Sequence, residues 1–357
     1  MENNPPANQS NQPRQAAPVN QSGNTPRRRR RWPWVVGGLV VLGLIGLLVI
    51  AIIAVVVLAG GGATGGAGSN PTPYDEEYVS GDGDRKVIVV PVEGVIASGG
   101  DAVSGQNSTA TPEGFEDALE QAADDSDASA VVLEVNSPGG GATASDEMYR
   151  TILEFKEKSD MPVVVSMGDV AASGGYYISA AADEIVANET TLTGSLGVII
   201  SLNNFTELAD KYGYKQEVIK SGEFKDIGSS FRDLKPEERE IFQSVIDESY
   251  AEFVDVISKG RDIPEDEVRK VADGRIYSGK QAKELDLVDE FGDLDRAAQL
   301  AAQRANTKNP TVVRYVQTPS FLDLAQARLA PQEPEAIQLA KAAGIEPSPR
   351  PMYLYKP

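Results

Sequence analysis

Apolar positions after residue 85 fall into short β-branched runs that alternate with stretches of helical spacing. Residues 87–90, 131–133 and 163–165 are such runs, and Met148 and Ile152 show the i, i+4 spacing of an amphipathic helix between the last two. Strands that are apolar on both faces and separated by helices indicate a mainly parallel sheet covered on both sides. The pattern therefore predicts an α/β fold.

Two local signals refine this prediction. Residues 95–97 form a second apolar run directly behind the first, so a pair of neighbouring strands is expected there. Thr111 followed by Pro112 is typical of a helix that begins with a capping hydroxyl and a proline in its first turn.

The longest apolar stretch covers residues 32–59 and carries no charge. At 1.5 Å per residue it can cross a hydrocarbon core of about 30 Å. Trp32 and Trp34 suit the membrane interface, and the arginines at 27–31 mark the cytoplasmic side. We expect an uncleaved single-pass anchor in the cell membrane, with the N-terminus cytoplasmic and the later residues outside. A cleaved signal peptide is the alternative, because small residues follow at 59–68, although its apolar region is usually about 7–15 residues long.

Composition divides the chain further. Residues 1–31 are rich in Asn, Gln and Pro, end in the arginine cluster, and are expected to be disordered. Residues 60–84 are glycine-rich and then acidic, which is typical of a flexible linker. Residues 85–317 suffice for one large domain. Residues 318–357 form a Pro-, Ala- and Gln-rich C-terminal extension.

The chain contains no histidine and no cysteine, which excludes whole classes of chemistry. A Ser–His–Asp triad, a Cys–His pair, a histidine-built zinc site and a disulfide are all impossible. A nucleophile would be Ser or Thr, and its base Lys, a carboxylate or an α-amine. We predict no metal and no other cofactor. The net charge is −20, and because residues 1–59 carry six arginines and one glutamate, the remainder carries about −25. This charge argues against nucleic-acid binding by the main domain.

Three segments are candidates for chemistry. VNSPGGG at residues 135–141 follows a predicted strand and could point backbone N–H groups into a cavity, although it could be an ordinary turn. DVAASGGYY at residues 169–177 places Ser173 between small neighbours before a helical stretch, where it could be a nucleophile or only a helix cap. SGEFKDIGS at residues 221–229 places Lys225 in a glycine-bounded loop. Desolvation there would free its amine as a base, whereas most lysines are solvated surface charges.

In this order the three segments resemble the signal peptide peptidase A (SppA) family of membrane-bound serine proteases, over roughly residues 85–300. TGSLG at residues 193–197 and the segment at residues 276–289 resemble two further motifs of that family. Asp286 departs from the pattern, because a glycine is common at this turn position.

The resemblance implies a ClpP/crotonase-like fold, a repeated ββα superhelix, behind the N-terminal transmembrane helix. It implies a serine endopeptidase with a Ser–Lys dyad. The implied substrates are residual signal peptides and other misplaced, apolar polypeptides, and the enzyme would act in contact with membrane lipid. It also implies a homo-oligomeric ring in which neighbouring protomers share each site. The implied roles are Ser173 as nucleophile, Lys225 as general base, Ser195 as the residue that orients the lysine, and the backbone N–H groups of Gly139, Gly140 and Gly174 as the oxyanion hole.

Other functions fit parts of the pattern. A stomatin-associated membrane protease group also uses Ser and Lys, but the position of Lys225 before Asp-Ile-Gly disfavours it. An inactive scaffold of the same fold stays open. A crotonase-type acyl-thioester enzyme is disfavoured by the expected placement outside the membrane, because acyl-CoA is cytoplasmic.

Overall fold

The computed structural model describes residues 74–98, 109–317 and 351–354. Its strands are β1 (Asp75–Ser80), β2 (Lys86–Glu93), β3 (Val95–Ile96), β4 (Thr109–Ala110), β5 (Ala128–Ser137), β6 (Gly139–Gly141), β7 (Val163–Ala172), β8 (Glu184–Ala187), β9 (Leu192–Gly194), β10 (Ile276–Ser278), β11 (Glu290–Phe291), β12 (Thr311–Val316) and β13 (Met352–Leu354). Its helices are α1 (Pro112–Asp124), α2 (Ala142–Ser159), α3 (Gly174–Ser179), α4 (Thr206–Lys211), α5 (Pro236–Arg261), α6 (Glu265–Val271), α7 (Gly279–Glu284) and α8 (Leu294–Arg304).

The main sheet runs in the order β1-β12-β2-β5-β7-β8-β11 and is parallel from β12 to β11. Its central strands are apolar on both faces. Val131 packs into one core with α1 and α2, whereas Val132 packs into a second core with α8. Successive strand residues point to opposite faces, so a continuous apolar run is what a sheet covered on both sides requires. The predicted α/β fold with a parallel sheet is confirmed.

A second, smaller sheet runs in the order β13-β6-β3-β4. It forms because the chain leaves β2 and β5 through short strands before each following helix. β2 is followed by β3, β4 and α1, and β5 is followed by β6 and α2. The paired β3 and β6 therefore stand together beyond the ends of neighbouring parallel strands. This is the edge where loops from several strands meet.

The start of α1 agrees with its predicted cap. The Thr111 hydroxyl accepts the N–H of Gly114 over 3.2 Å, and Pro112 occupies the first turn. Buried Phe115 and Leu119 then face the core at helical spacing.

The structure differs from the expected flexible linker at residues 60–84, because Asp75–Ser80 forms strand β1. This strand pairs antiparallel with β12 at the edge of the sheet, and four of its six residues are exposed. An exposed edge strand needs no apolar face, so its polar composition resembles that of a linker. Residues 60–73 of the expected linker lie outside the described residues.

The predicted anchor at residues 32–59 and the N-terminal residues 1–31 also lie outside the described residues. Of the helices within the described ranges, none is both long enough and apolar enough to cross a membrane. The C-terminal extension contributes the short strand β13, which adds to the smaller sheet beside β6.

Candidate active site

Ser173 is the single residue between strand β7 and helix α3. Its backbone lies at φ 54° and ψ −114°, in a region that L residues rarely adopt. The chain can turn this sharply because Ala172 and Gly174 on either side are small. A strained strand-to-helix turn of this kind also presents the nucleophile of α/β-hydrolases, although the two folds differ. Such strain costs on the order of 1–3 kcal/mol and is concentrated at functional sites.

The Ser173 hydroxyl is buried and has no hydrogen-bond partner among the residues that the structure describes. Leaving a buried polar group unsatisfied costs about 1–3 kcal/mol, so native structures rarely retain one without a role. The residue precedes α3 at the capping position, yet its side chain makes no capping hydrogen bond. The structure therefore does not support the alternative that Ser173 serves only as a helix cap.

The glycine-rich strand β6 lies directly against the start of α3. A side chain at Gly139, whose φ is +90°, would clash with the backbone nitrogen of Gly174. A Cβ at Gly174 would lie 3.1 Å from the Gly140 nitrogen and 2.5 Å from Ser145 Oγ. The three glycines predicted for the oxyanion hole are thus in mutual contact beside Ser173, and only glycine permits this approach.

Ser137 fixes the position of β6 and was not singled out in the sequence. Its buried hydroxyl donates to the Gly94 carbonyl over 2.6 Å and accepts the Gly139 N–H over 3.0 Å. The Gly139 N–H is therefore already engaged. Gly174, as the first residue of α3, has an N–H without an intrahelical partner. A small polar residue at the end of an apolar strand was the available signal for Ser137.

Ser195 lies in the segment that follows β9, beside the Ser173 turn. The Ser173 N–H donates to the Gly194 carbonyl over 2.8 Å, and the Ser195 N–H donates to the Arg275 carbonyl over 2.7 Å. Ser195 is half-buried and, like Ser173, has a positive φ, at 50°. The structure therefore brings the segment of the predicted orienting serine to the predicted nucleophile.

Lys225 is exposed and does not hydrogen-bond to Ser173 within this single chain, because the Ser173 hydroxyl has no partner. The loop that carries Lys225 is fixed by its neighbour Asp226, which accepts two hydrogen bonds from Arg232 at 2.9 and 3.1 Å. Arg232 also donates to both carboxylate oxygens of the fully buried Glu238 at the start of α5. The roles assigned to Ser173 and Lys225 stay predictions.

These ion pairs have a clear electrostatic signature. Hydrogen bonds from Arg232, and then from Lys220, hold the pKa of Asp226 well below its usual range. The hydrogen bond from Arg232 likewise lowers the pKa of Glu238. Both carboxylates are therefore charged at neutral pH, and the Lys225 loop is tied to α5 by ionic contacts.

Strand β13 and a ring of aromatic residues occupy the groove beside the glycines. Tyr353 of β13 lies opposite Gly140, and its ring packs against Tyr177 of α3 and Phe253 of α5, which also contact each other. These residues were not predicted as part of the site. Tyr177 gave a partial signal, because it follows Ser173 by one helical turn in the quoted motif.

A second concave region lies between α1, β2 and β12 and contains none of the predicted site residues. Tyr74, the Glu134–Arg314 ion pair and Tyr315 contribute to its lining. Across the described ranges, no group of three or more acidic side chains is placed to hold a metal ion. The strained serine and the three glycines thus form the clearest candidate for a catalytic centre.

The sequence is similar to those of known proteins. Residues 155–308, which include Ser173, Ser195 and Lys225, match the model of peptidase family S49. A protein of Enterococcus faecium named as a signal peptide peptidase SppA is 35% identical over 290 residues, which cover 79% of this chain and 84% of that protein.

Two longer relatives also match. Protease 4 of Haemophilus influenzae is 37% identical over 239 residues, which cover 67% of this chain and 38% of the relative. The chloroplastic serine protease SPPA of Arabidopsis thaliana is 43% identical over 178 residues, or 50% of this chain and 26% of the relative. The chain thus aligns with less than half of each of these two proteins. Because the similarity to the Enterococcus protein extends over most of both chains, the chain belongs to peptidase family S49, the SppA family, and is a serine protease.

Proposed function

We propose that the chain is an endopeptidase in which Ser173 attacks the peptide carbonyl and Lys225 acts as the general base. The observation that carries this proposal is the buried, unpartnered hydroxyl of Ser173 at a strained turn beside three glycines in contact. A hydroxyl without a hydrogen-bond partner is free to donate its proton to a general base once that base is in place.

The steps follow from the residue types. The neutral Lys225 amine takes the proton from Ser173 Oγ as Oγ bonds to the carbonyl carbon, and the carbonyl electron pair moves onto its oxygen. The N–H of Gly174 and a backbone N–H of the Gly139–Gly140 segment stabilise that oxyanion. The C–N bond then breaks, the leaving amine takes the proton from the lysine, and an acyl-serine ester is left. Water, deprotonated by Lys225, hydrolyses the ester and regenerates the hydroxyl.

We further propose that Lys225 reaches Ser173 from a neighbouring copy of the chain in a homo-oligomer. Three observations support this proposal. The Ser173 hydroxyl lacks a hydrogen-bond partner within the described part of its own chain, and Lys225 is exposed. The segment around Lys225 also carries large exposed apolar side chains, with Ile219 at 97%, Phe224 at 41% and Phe231 at 41% exposure. Such side chains in one segment are typical of a protein contact surface.

Residual signal peptides in the cell membrane are the proposed substrates, with the protease domain outside the cell and residues 32–59 as its anchor. The name of the Enterococcus relative supports the substrate class. The uncharged apolar stretch and the arginines before it support the anchor and its orientation. A reporter fused after residue 70 should be active only outside the cytoplasm, and a cytoplasmic reporter would overturn the orientation.

A serine-reactive fluorophosphonate tests the enzymatic part directly. The full chain should be labelled at Ser173, and Ser173→Ala should not be labelled although it folds. Lys225→Ala should slow labelling strongly, because the hydroxyl loses its base. Labelling that is unchanged in Ser173→Ala would contradict the assignment of the nucleophile, and a folded wild-type oligomer that is never labelled would indicate an inactive scaffold.

A further inference from the structure

Arg232 binds two carboxylates at once, one beside the predicted base and one inside the protein. Its Nε and Nη2 donate to the two carboxylate oxygens of Asp226, over 3.1 and 2.9 Å. Its Nη1 and Nη2 donate to the two carboxylate oxygens of Glu238, over 2.8 and 2.6 Å. Asp226 follows Lys225 directly in the sequence, and Glu238 lies in the first turn of α5. The planar guanidinium therefore connects the segment of the base to this helix by paired contacts that a single ammonium group cannot make.

Main-chain contacts extend this connection to Lys225 itself. Arg232 Nη2 also donates to the Asp226 carbonyl over 2.9 Å, and the same carbonyl accepts the Ser229 N–H over 3.1 Å. The Lys225 N–H donates to the Gly222 carbonyl over 3.2 Å, so Lys225 and Asp226 lie in a series of i→i+3 turns. Neighbouring side chains point in different directions in such turns. Asp226 faces Arg232, with 13% of its side chain exposed, whereas Lys225 is exposed.

The segment that carries Lys225 depends on side-chain contacts for its position. Residues 212–235 lie between α4 and α5 and form turns and irregular structure. Phe231 packs against Phe205 and Tyr214, with ring centroids 6.3 and 5.0 Å away. Arg232 is the next residue and supplies the ionic contact on the side of Lys225. A change at Arg232 is therefore expected to alter where the lysine amine can reach.

The same network matches the charges around Lys225. The paired groups of this segment and of the first turn of α5 are Lys220, Glu223, Asp226, Arg232, Lys235 and Glu238. Asp233 accepts the side-chain amide of Asn204 over 2.9 Å. Among the described residues, Lys225 itself forms no ion pair. A carboxylate that paired with its amine would stabilise the ammonium form, which cannot act as a base.

Stability alone does not account for the buried charge of Glu238. Its carboxylate accepts the Lys235 N–H over 3.1 Å, which is the capping contact at the start of α5. A neutral glutamine serves this capping position equally well. A buried ion pair also adds little stability compared with apolar side chains of similar size. The charge of Glu238 is instead directed to Arg232, and through Arg232 to the segment of the base.

We propose that Arg232 is a positioning residue for the general base: it holds the Lys225 segment on α5 and engages the Asp226 carboxylate so that this charge does not pair with the lysine amine. Because Lys225 is taken as the base, this role of Arg232 rests on the proposed function. The paired hydrogen bonds of Arg232 set the position of the amine, and its charge affects the ionisation of the amine. The two effects can be measured separately.

Arg232→Lys tests the position, because it retains the charge and loses the paired hydrogen bonds. The rate of fluorophosphonate labelling of the full-length oligomer is measured against pH. The plateau rate at high pH should fall about 10- to 100-fold, since a displacement of about 1 Å has effects of this size. The midpoint of the acidic limb of the profile should stay where it is in wild type. A plateau rate equal to that of wild type would overturn the positioning role.

Two further variants test the charge and should move the acidic limb in opposite directions. Arg232→Gln leaves the Asp226 charge with Lys220 alone, so the ammonium form is favoured and the limb should move to higher pH. Asp226→Asn removes the negative charge, so the limb should move to lower pH. Each shift should be about 0.3–1 pH unit, the scale of one partly exposed charge pair. A purely structural role of Arg232 predicts no such opposite shifts.

Asp226→Asn also guards against misfolding of the arginine variant. Arg232→Gln leaves the buried Glu238 without its cation, which is strongly destabilising. Asp226→Asn retains the Arg232–Glu238 pair, and its side-chain oxygen still accepts a hydrogen bond from Arg232. If Arg232→Gln does not assemble, Asp226→Asn and Arg232→Lys decide the matter. An unmoved limb in Asp226→Asn would overturn the charge effect.

Arg314→Lys is the matched control. Arg314 makes a similar paired contact with Glu134, over 3.1 and 3.0 Å, and 32% of its side chain is exposed compared with 26% for Arg232. The pair lies in the second concave region, which contains none of the predicted site residues. Its loss should lower the melting temperature and leave both the plateau rate and the acidic limb unchanged.

Separate results decide the role of Arg232 and the proposed function. If the wild-type oligomer is never labelled, or if Lys225→Ala is labelled as fast as wild type, the proposed function fails and the role of Arg232 fails with it. If labelling requires Ser173 and Lys225 but neither the plateau rate nor the limb responds to the Arg232 and Asp226 variants, the proposed function stands and the role of Arg232 is wrong.

Discussion

The backbone N–H of Ser173 donates to the Gly194 carbonyl over 2.8 Å. This bond ties the strained turn after β7 to the end of β9, and Ser195 is the next residue along the chain. Strand β9 pairs with both β7 and β10, so the Ser195 turn is held from two sides. The predicted nucleophile and the predicted orienting serine therefore share one rigid support, although 21 sequence positions lie between them.

Ser173→Ala should separate activity from stability. We expect peptide cleavage to fall by at least about 10³-fold, because a nucleophile cannot be replaced. The free energy of unfolding should stay the same or rise by about 1 kcal/mol, because the hydroxyl that is removed is buried without a partner. Ser179→Ala is the matched control. It removes a buried hydroxyl that donates to the Gly175 carbonyl over 2.7 Å and should cost about 1 kcal/mol. A comparable loss of stability in Ser173→Ala would show that its hydroxyl has a stabilising partner.

Gly174→Ala should impair the site through backbone crowding. The added methyl would lie 2.5 Å from Ser145 Oγ and 3.1 Å from the Cα of Gly139. The start of α3 must then move away from β6, so we expect lower activity and a lower melting temperature. Gly222→Ala, where a Cβ would meet nothing within 4 Å, should leave the melting temperature unchanged. A Gly174→Ala variant with wild-type melting and cleavage would refute the close packing of these glycines.

Ser137→Ala should act on activity through the position of β6. The substitution removes the donor to the Gly94 carbonyl and the acceptor of the Gly139 N–H, at a cost of about 1–3 kcal/mol for the groups left unpaired. The reaction should slow mainly in kcat, because the oxyanion donors shift. Ser129→Ala removes a buried hydroxyl that donates to the Lys86 carbonyl, away from the site, and should reduce stability without this change in kcat.

The Arg232 ion pairs predict how stability depends on pH. The pKa of Glu238 is lowered in the folded protein, so its contribution is fully present above the unfolded pKa of about 4.3 and is lost as pH falls through the folded value. Glu238→Gln should therefore melt below wild type at pH 7, and the difference should shrink as the pH falls below about 4. Melting curves between pH 3 and 7 measure this difference. Glu120→Gln, at an exposed position of α1, should follow wild type throughout.

Mixing two inactive variants tests the shared site. Ser173→Ala and Lys225→Ala are each expected to be inactive alone. If they are co-expressed in one oligomer, some sites should combine an intact Ser173 with an intact Lys225 from the neighbour and recover part of the wild-type cleavage. Two different tags would confirm that the oligomers contain both variants. If such mixed oligomers recover no cleavage activity, each chain uses its own lysine.

The sequence predicted the parallel sheet well, because its central strands are apolar on both faces and leave no other arrangement. The turn around Ser173 was also predictable, since small residues between a strand and a helix permit a sharp turn. Strand β1 was not, because its polar residues suit an exposed edge as well as a linker.

Strand β13 was still harder to predict. It consists of three residues, and its partners Gly139–Gly141 lie about two hundred positions earlier in the chain. No local pattern specifies such a pairing, because the rings that Tyr353 contacts come from α3 and α5 and meet only in the folded chain. The hydrogen bonds of Ser137 could not be predicted for the same reason, since its partner Gly94 lies in the connection between β2 and β3.

Strand β13 also bears on the order in which the chain folds. Domains fold as their residues emerge during synthesis, and Met352–Leu354 follow the last strand of the main sheet in the sequence. The smaller sheet, in which β13 pairs with β6, can therefore be completed only after all strands of the parallel sheet have been made.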